Sequence, residues 1–493
     1  LAVSEIRPPE GRKRPDDAPL LDYLKPVTSD STPPVRIAVI GGGVTGLTAA
    51  YRLTRAGIAV RVFEAAPTVG GPVQTEQTPD GWLIESGPNS LLLNDAGVTG
   101  LFDELGLSPR LQVAGGSAKK RFLVRAGQVL ALPTSPAAFI STPLFSAGAK
   151  GRIVRELVRG RRSARTGDVS VATLVAEHLG QEWVDTAVQP FVSGIYAGDP
   201  TRLSARHAFP QLWEAEQRSG SLIRGMLALA KARRRRGGPR ARMVSLPEGL
   251  HGIPTALAAH LPATAIAVGT RVDAVLRTPE GRWNVRWSRE AETGSETFSA
   301  VLLALPAAAL ARLAIGKPEE RPLAALQQIE YPPVTSVFLG YRRDQVRHPL
   351  DGFGLLIPEV EKRPILGVLF SSTLFPGRAP AGHVGLTVML GGALHPERGL
   401  LPPAEAIAVA RKEVGALLGV TGEPGLVRHR SWPRAIPQYN LGYEAFLKAL
   451  ETVEMAQPGL LIGGHVRDGI ALSACLSAGL KLAQRALERP NRA

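Results

Sequence analysis

Cysteine is almost missing from this sequence: Cys475 is the only one in 493 residues. That excludes an intramolecular disulfide framework and a cysteine-rich metal centre, and it fits a reducing compartment. Long apolar runs are missing too, since none reaches the roughly 18 residues that a membrane-crossing helix requires. Residues 1–34 carry Pro, Asp, Arg and Glu throughout and lack the apolar centre of a signal peptide. The acids Glu5, Glu10, Asp16 and Asp17 also argue against a transit peptide, so the stretch reads as a disordered tail. There is no cluster with metal-ligand spacing, no G-x-S-x-G turn and no nucleophile paired with a base. Aromatics are scarce at 5%. None interrupts the run Arg233–Arg236, which leaves it without the stacking groups of a nucleic-acid site, and no nucleic-acid partner is expected.

What is present is ordinary globular material, 44% hydrophobic and 20% charged, long enough for two or three domains. The net charge of +15 is uneven. Between Lys119 and Ser245 stand 22 Lys and Arg against 8 Asp and Glu, and such a patch calls for an anionic partner or plain solvation. Two stretches inside it stand out. Residues 129–149 (VLALPTSPAAFISTPLFSAGA) are apolar, uncharged and broken by proline, suited to dipping into a membrane interface rather than crossing it. Residues 150–165 (KGRIVRELVRGRRSAR) put Ile153, Val154, Leu157 and Val158 near one helix face with arginines around them. That pattern reads as a basic amphipathic helix on a membrane surface, or as a solvated helix over the core. Anionic lipid head groups are the simplest partner for clustered arginines. Residues 233–242 (RRRRGGPRAR) read as a loop.

Hydrophobic periodicity sets the fold class. Residues 35–40 (VRIAVI) form a buried-strand pattern ending at glycines. A helix is expected from about Thr45 to Ala56, stopped by Gly57, and residues 58–63 (IAVRVF) are the next strand. This βαβ opening belongs to a parallel sheet. Further strands are expected within 266–287, 298–305, 335–341, 384–390 and 459–463, and helices over most of 168–229, 404–418 and 470–487.

Gly41-Gly42-Gly43-Val44-Thr45-Gly46 places G-x-G-x-x-G between the first strand and its helix, the context that motif requires. Gly41 permits the tight turn, Gly43 lets the backbone approach a pyrophosphate, and Gly46 lets helix and strand pack closely. The helix N-terminus offers free N–H groups and partial positive charge to phosphate. Glu64 ends the second strand, 18 residues after Gly46, where its carboxylate can accept both ribose hydroxyls of an adenosine.

Val69-Gly70-Gly71 follows Glu64, and Gly87-Pro88-Asn89-Ser90 comes next. Near the C-terminus, Gly463-Gly464 precedes Asp468-Gly469 and a helix from Ile470. Together with Ala300–Pro306 (AVLLALP), this order resembles the amine-oxidase-like flavoprotein superfamily. The segments Lys120–Val124 (KRFLV), Phe191–Gly198 (FVSGIYAG), Leu203–Gln217, Gly352–Pro358 (GFGLLIP), Leu369–Phe375 (LFSSTLF), Val388–Gly392 and Ile436–Gly442 (IPQYNLG) narrow the resemblance to the protoporphyrinogen oxidase family.

The resemblance implies an α/β fold whose Rossmann-type FAD domain is assembled from 35–116, 245–306 and 455–493. It adds a helical membrane-binding domain over 117–244 and a mixed-sheet substrate domain over 307–454 with parts of 80–120. It implies non-covalent FAD held by Gly41, Gly42, Gly43, Thr45, Gly46, Glu64, Ala65, Gly71, Gly87, Pro88, Asn89, Ser90, Val272, Gly464, His465, Ile470, Ala471 and Leu472. On the substrate side, Arg121 takes the position that pairs with a propionate, for which a guanidinium is well shaped. Leu356 and Phe370 take the ring-sandwiching positions, Gly354 lies beside them, and Asn89 takes a polar position next to flavin and substrate. The alternatives are a surface arginine, two core residues and a turn asparagine. No catalytic residue is assigned, and His207, in a helical segment, reads as a packed or surface histidine.

The activity implied is oxidation of protoporphyrinogen IX to protoporphyrin IX, with O2 as acceptor and H2O2 as product, on a membrane surface. That surface is the cytoplasmic side of a bacterial inner membrane or an organelle membrane. A homodimer is compatible with the family. Coproporphyrinogen III is the competing substrate, and another flavin amine oxidase or desaturase is a further alternative. A flavin-binding scaffold without turnover is the reading from outside enzymes.

Overall fold

Val, Ile and Ala in an unbroken run suit a strand buried on both faces. In the computed structural model, which describes residues 35–158, 165–235 and 241–488, Arg36–Ile40 lies between Ala59–Phe63 and Ala300–Leu303, parallel to both. Ile266–Ala267 joins the far side of Ala59–Phe63, and Leu460–Ile462 the far side of Ala300–Leu303. Strands far apart in the sequence thus build one five-stranded parallel sheet, the α/β arrangement expected. Helix Val44–Arg55 packs on helix Leu472–Leu487. Gly479 makes the approach close, since a Cβ there would stand 2.5 Å from the carbonyl oxygen of Thr45.

A second sheet of seven strands runs in the order Leu426–Trp432, Val334–Arg342, His383–Gly391, Gly367–Leu369, Gly354–Leu356, Phe122–Arg125, Gln128–Ala131. Its back face carries Val337, Leu339, Leu355, Val368, Leu386 and Val388, buried against Ala406, Ala410 and Val414 of helix Pro403–Leu418. Each such side chain taken out of water contributes about 1.5–3 kcal/mol, so the back face is the structural one. A four-stranded sheet, Glu292–Phe298, Trp283–Arg289, Arg271–Arg277, Ala314–Gly316, completes the larger sheets.

The basic middle segment is mostly helical, and one sequence expectation changes there. Residues 129–149 contribute to strand Gln128–Ala131 and form helix Pro136–Ser141, and Leu144 and Phe145 are buried with Leu123 and Ala149. Phe145 stacks on Trp183 with ring centroids 4.1 Å apart. The stretch expected as a loop at 233–242 begins inside helix Leu222–Arg235. Arginine is a good helix former, and three arginines in a last turn complement the helix dipole.

Helix Ala147–Val158 has Ala149 and Glu156 as its buried residues. Val154, Leu157 and Val158 are exposed, Val158 at 78%. The cause is a buried polar knot. Glu156 Oε1 lies 2.6 Å from Nδ1 of His178 and accepts the N–H of Leu222 at 3.1 Å, while Nε2 of His178 lies 3.3 Å from Glu216. Arg165 also bonds Glu216. A charged face is paid for inside by partners, and the apolar face turns outward. Residues 159–164 and 236–240 of these stretches, and the tail 1–34, lie outside the described residues.

Candidate active site

The first strand ends at Ile40, and the chain turns at once into helix Val44–Arg55. Gly41 makes the turn at φ +109°, a conformation open to glycine and costly for other residues. Gly46 lies so close to Gly41 that a Cβ would stand 1.9 Å from its carbonyl oxygen. Gly43 is different, since a Cβ there would meet nothing within 4 Å. It is the N-cap of the helix and supplies no side-chain cap. The first-turn N–H groups and their partial positive charge are therefore left for an anion.

Glu64 is fixed beside this turn. Its Oε2 accepts the N–H of Gly42 and its Oε1 the N–H of Ala66, each at 2.7 Å, with Ala65 between. A carboxylate has further lone pairs for hydroxyl donors. The N–H of Thr270 donates to the Glu64 carbonyl at 2.7 Å, so Val272 follows two residues beyond this edge. Gly70 N–H donates to Gly42 O at 2.8 Å, and a Cβ on Gly71 would lie 3.8 Å from Gly43 Cα. Gly87 touches the same strip, where a Cβ would stand 1.9 Å from Pro72 O. Pro88, Asn89 and Ser90 continue from it half-buried, and Asn89 Nδ2 donates to Gly87 O at 3.1 Å.

The second helix end arrives from the C-terminus. Thr45 Oγ1 donates to Cys475 O at 2.9 Å, and a Cβ on Gly464 would rest 3.6 Å from Thr45. Ile470 and Ala471 lead into helix Leu472–Leu487, which also has no side-chain cap. His465 sits in this loop. The Tyr331 hydroxyl accepts the N–H of Ala307 at 3.1 Å and shares a hydrogen bond with His465 Nε2 at 3.0 Å. Burial pushes the His465 pKa down to about 4 and that of Tyr331 up to about 12. The pair is a neutral imidazole and an intact phenol near neutral pH. Burial also pushes the Cys475 thiol up to about 12, so it is no thiolate nucleophile. An open glycine, two uncapped helix ends and an anchored carboxylate fit a bound dinucleotide.

The front face of the seven-stranded sheet is the candidate substrate side. Residues paired across strands share a face. Leu356 pairs with Gly367, Gly367 with Met389, Leu369 with Gly354, and Leu356 with Leu123 of the next strand. Leu356, Leu369 and Met389 therefore form a half-buried apolar row on the front. Helix Gln189–Tyr196 closes over one end, where a Cβ on Gly194 would stand 2.8 Å from Leu356. Arg121 precedes strand Phe122–Arg125 and is exposed, its guanidinium 5.2 Å over the ring of Phe353. Among the described residues it pairs with no carboxylate.

Phe370 does not join this row. It is 0% exposed and packs with Phe122 and His348 in the back-face core. Leu369, its neighbour, is the front-face residue. Gly354 is tightly confined at φ +150°, with Val368 O 2.3 Å from an added Cβ. His207 lies on helix Ala205–Ala208 with Nε2 3.3 Å from Glu444.

Sequence reasoning missed Leu369 and Met389; strand His383–Gly391 does alternate, with Val384, Leu386, Val388 and Leu390 on the back and His383, Gly385, Thr387 and Met389 on the front, but alternation does not say which face meets a substrate. It missed Tyr331 as well. Among the described residues no group of His, Cys, Asp and Glu is placed to hold a metal.

Comparison with known proteins agrees with this geometry. The curated protoporphyrinogen oxidase 2 of Arabidopsis thaliana, chloroplastic and mitochondrial, is 32% identical over 476 residues, covering 91% of this chain and 93% of its own. The coproporphyrinogen III oxidase of Bacillus subtilis (strain 168) is 28% identical over 464 residues, 90% of this chain and 96% of its own. A crystal structure from Exiguobacterium sp. 255-15 superposes with a TM-score of 0.78 at 24% identity, covering 93% of this chain and all of that one; at that identity it shows the fold. The family model for flavin containing amine oxidoreductases matches residues 44–487, from the start of helix Val44–Arg55 to the end of helix Leu472–Leu487, and the chain belongs to that family.

Proposed function

We propose that this chain is an FAD-dependent oxidase that converts protoporphyrinogen IX to protoporphyrin IX, with O2 reduced to H2O2. The observation that carries the proposal is the front face of the seven-stranded sheet: an apolar row, Leu356, Leu369 and Met389, with an arginine free of carboxylate partners near its edge. A flat, largely apolar macrocycle with acidic arms needs those two features together. The relatives' names support the same substrate class.

FAD, when bound, supplies the hydride acceptor and passes electrons on to O2. Residues of 35–116, 245–306 and 455–493 would hold it: Gly43 and the first uncapped helix end would take the phosphates, Glu64 the ribose, and the second helix end would favour negative charge on the reduced flavin. Arg121 orients the substrate by one acidic arm. Leu356, Leu369 and Met389 hold the ring and exclude water, and Asn89 is available beside both ligands. Neutral His465, held by Tyr331, adds no charge near the cofactor.

Fluorescence tests the proposal, because the oxidised ring emits and the porphyrinogen does not. Purified enzyme supplied with each porphyrinogen should generate emission with H2O2 released alongside. Silence with both porphyrinogens sinks the reading. Coproporphyrinogen III is the second reading, favoured by Arg430. This arginine lies on the same front face, 4.5 Å over Trp432 and without a carboxylate partner among the described residues. Faster turnover of the more acidic substrate would select it. Arg121→Ala should raise KM about 10-fold or more, as loss of a charge-assisted bond of about 1.5–3 kcal/mol requires, with FAD content unchanged. Loss of FAD in that variant would remove Arg121 from the substrate side.

The same reading places the enzyme on a lipid surface through residues 117–244. Val154, Leu157 and Val158, with Ile140 (74% exposed) and Leu227 on neighbouring helices, make an outward apolar patch. Lys150 ties two of these helices, bonding Ile140 O and Thr142 O at 2.7 Å. Among the described residues no helix is long and apolar enough to cross a membrane, so the contact proposed is peripheral. The protein should float with vesicles rich in anionic lipid. Ile140→Asp combined with Val158→Asp should cut the bound fraction at least fivefold, and wild-type protein that stays unbound would refute the contact.

A further inference from the structure

The loop Gly464–Gly469 carries the second helix end toward the cofactor, and it is held from two sides. From within, Asp468 Oδ2 accepts the N–H of Gly464 at 2.8 Å. From outside, one phenol spans it: the Tyr439 hydroxyl donates to the carbonyl of His465 and accepts the N–H of Gly469 at 3.1 Å. Tyr443 adds one further bond, donating to Val466 O at 2.9 Å. The Tyr439 and Tyr443 rings lie 4.4 Å apart. Tyr439 is buried, and burial raises its pKa well above the ordinary value, so the hydroxyl keeps the proton it donates.

The residues around Tyr439 belong to a different part of the molecule. Its carbonyl accepts the N–H of Ser204 at 2.9 Å, Asn440 bridges Leu203, and Leu441 N–H donates to Arg202 O at 2.9 Å. Gln438 Nε2 donates to Tyr196 O at 2.9 Å. The segment Ile436–Tyr443 is thus bonded by its backbone to the helical segment and by its phenols to the cofactor loop.

We infer that Tyr439 is a positioning residue for the cofactor: its one hydroxyl fixes both ends of the Gly464–Gly469 loop and ties that loop to the helical segment. A phenol does this where Phe cannot, because the loop presents a carbonyl at one end and an N–H at the other. The inference rests on FAD binding at this loop, and it is independent of which porphyrinogen is the substrate.

Tyr439→Phe keeps the ring packing and deletes the two bonds. The expected result is a holoenzyme with FAD affinity about tenfold weaker and a displaced visible flavin band, while the apoprotein circular dichroism stays that of wild type. Tyr443→Phe, which loses one bond to one carbonyl, should move both readouts less. Unchanged affinity and an unchanged flavin band in Tyr439→Phe would overturn the inference. Should Tyr439→Phe fail to fold, hydrogen exchange in wild-type holoenzyme decides: protection of the Gly469 amide like that of helix Leu472–Leu487 is required, and rapid exchange there overturns the role. Wild-type apoprotein that takes up no FAD would instead count against the family reading on which the inference stands.

Discussion

Gly43→Ala is expected to give a protein that folds and melts like wild-type apoprotein yet holds FAD at least 100-fold more weakly. The backbone at Gly43 is ordinary and extended, φ −71° and ψ 174°, so alanine adopts it without strain. Nothing in the protein lies within 4 Å of the added methyl. The methyl enters the space in front of the uncapped helix end, where the pyrophosphate requires close backbone approach. A ligand at 100 times its dissociation constant stabilises the fold by about 2.7 kcal/mol. The rise in melting temperature on adding FAD should therefore vanish in the variant, while the apoprotein curves coincide. Gly46→Ala should behave differently, because its methyl collides with the Gly41 carbonyl at 1.9 Å. That variant should lose apoprotein stability as well, by about 1–3 kcal/mol for overpacking. Wild-type FAD affinity in Gly43→Ala would show that the open space is not the phosphate site.

The contrast between these glycines shows what was legible in the sequence. The roles of Gly41, Gly43 and Gly46 follow from a local pattern, strand to turn to helix, and local patterns survive in one dimension. The same holds for the strands of the parallel sheet, whose apolar runs are short and bounded by turns. Facing is harder to read. Leu369 and Phe370 are adjacent and both apolar, yet only Leu369 lies on the front. Strand Gly367–Leu369 is only three residues long, too short for alternation to mark which face is which. Helix Ala147–Val158 poses a related problem. Its periodicity marks an apolar face, but which face is buried was settled by His178 and Glu216, residues with no local signature in the helix itself. Tyr439 is harder still, since its partners His465 and Gly469 become neighbours only when the C-terminal strand enters the first sheet.

Arg378 extends that lesson to stability, and Arg378→Met should be among the most destabilising single substitutions in the chain. Arg378 and Glu85 form an ion pair at 2.7 Å with side chains only 3% and 2% exposed. Arg378 also donates to Ser245 Oγ, and Glu85 accepts from Leu250 N–H at 2.9 Å and Thr75 Oγ1 at 2.6 Å. One buried knot therefore joins strand Leu83–Glu85, the segment that returns to the cofactor sheet after Arg242–Ser245, and the chain leading into His383–Gly391. Removing one partner of such a pair leaves a carboxylate buried without its counter-charge, at a cost of about 3–5 kcal/mol. That is a large part of the roughly 5–15 kcal/mol by which folded domains are stable. Adding Glu85→Gln to Arg378→Met should recover part of the loss. The amide oxygen still accepts from Leu250 N–H, the NH2 faces Thr75 Oγ1 as a donor, and no charge is left in the interior. Chemical denaturation of the two variants beside wild type measures both effects, read as midpoints where unfolding reverses and as unfolding rates where it does not. A single variant within about 0.5 kcal/mol of wild type, the range of ordinary surface changes, would mean that water reaches Glu85 and that the knot does not hold the two sheets together.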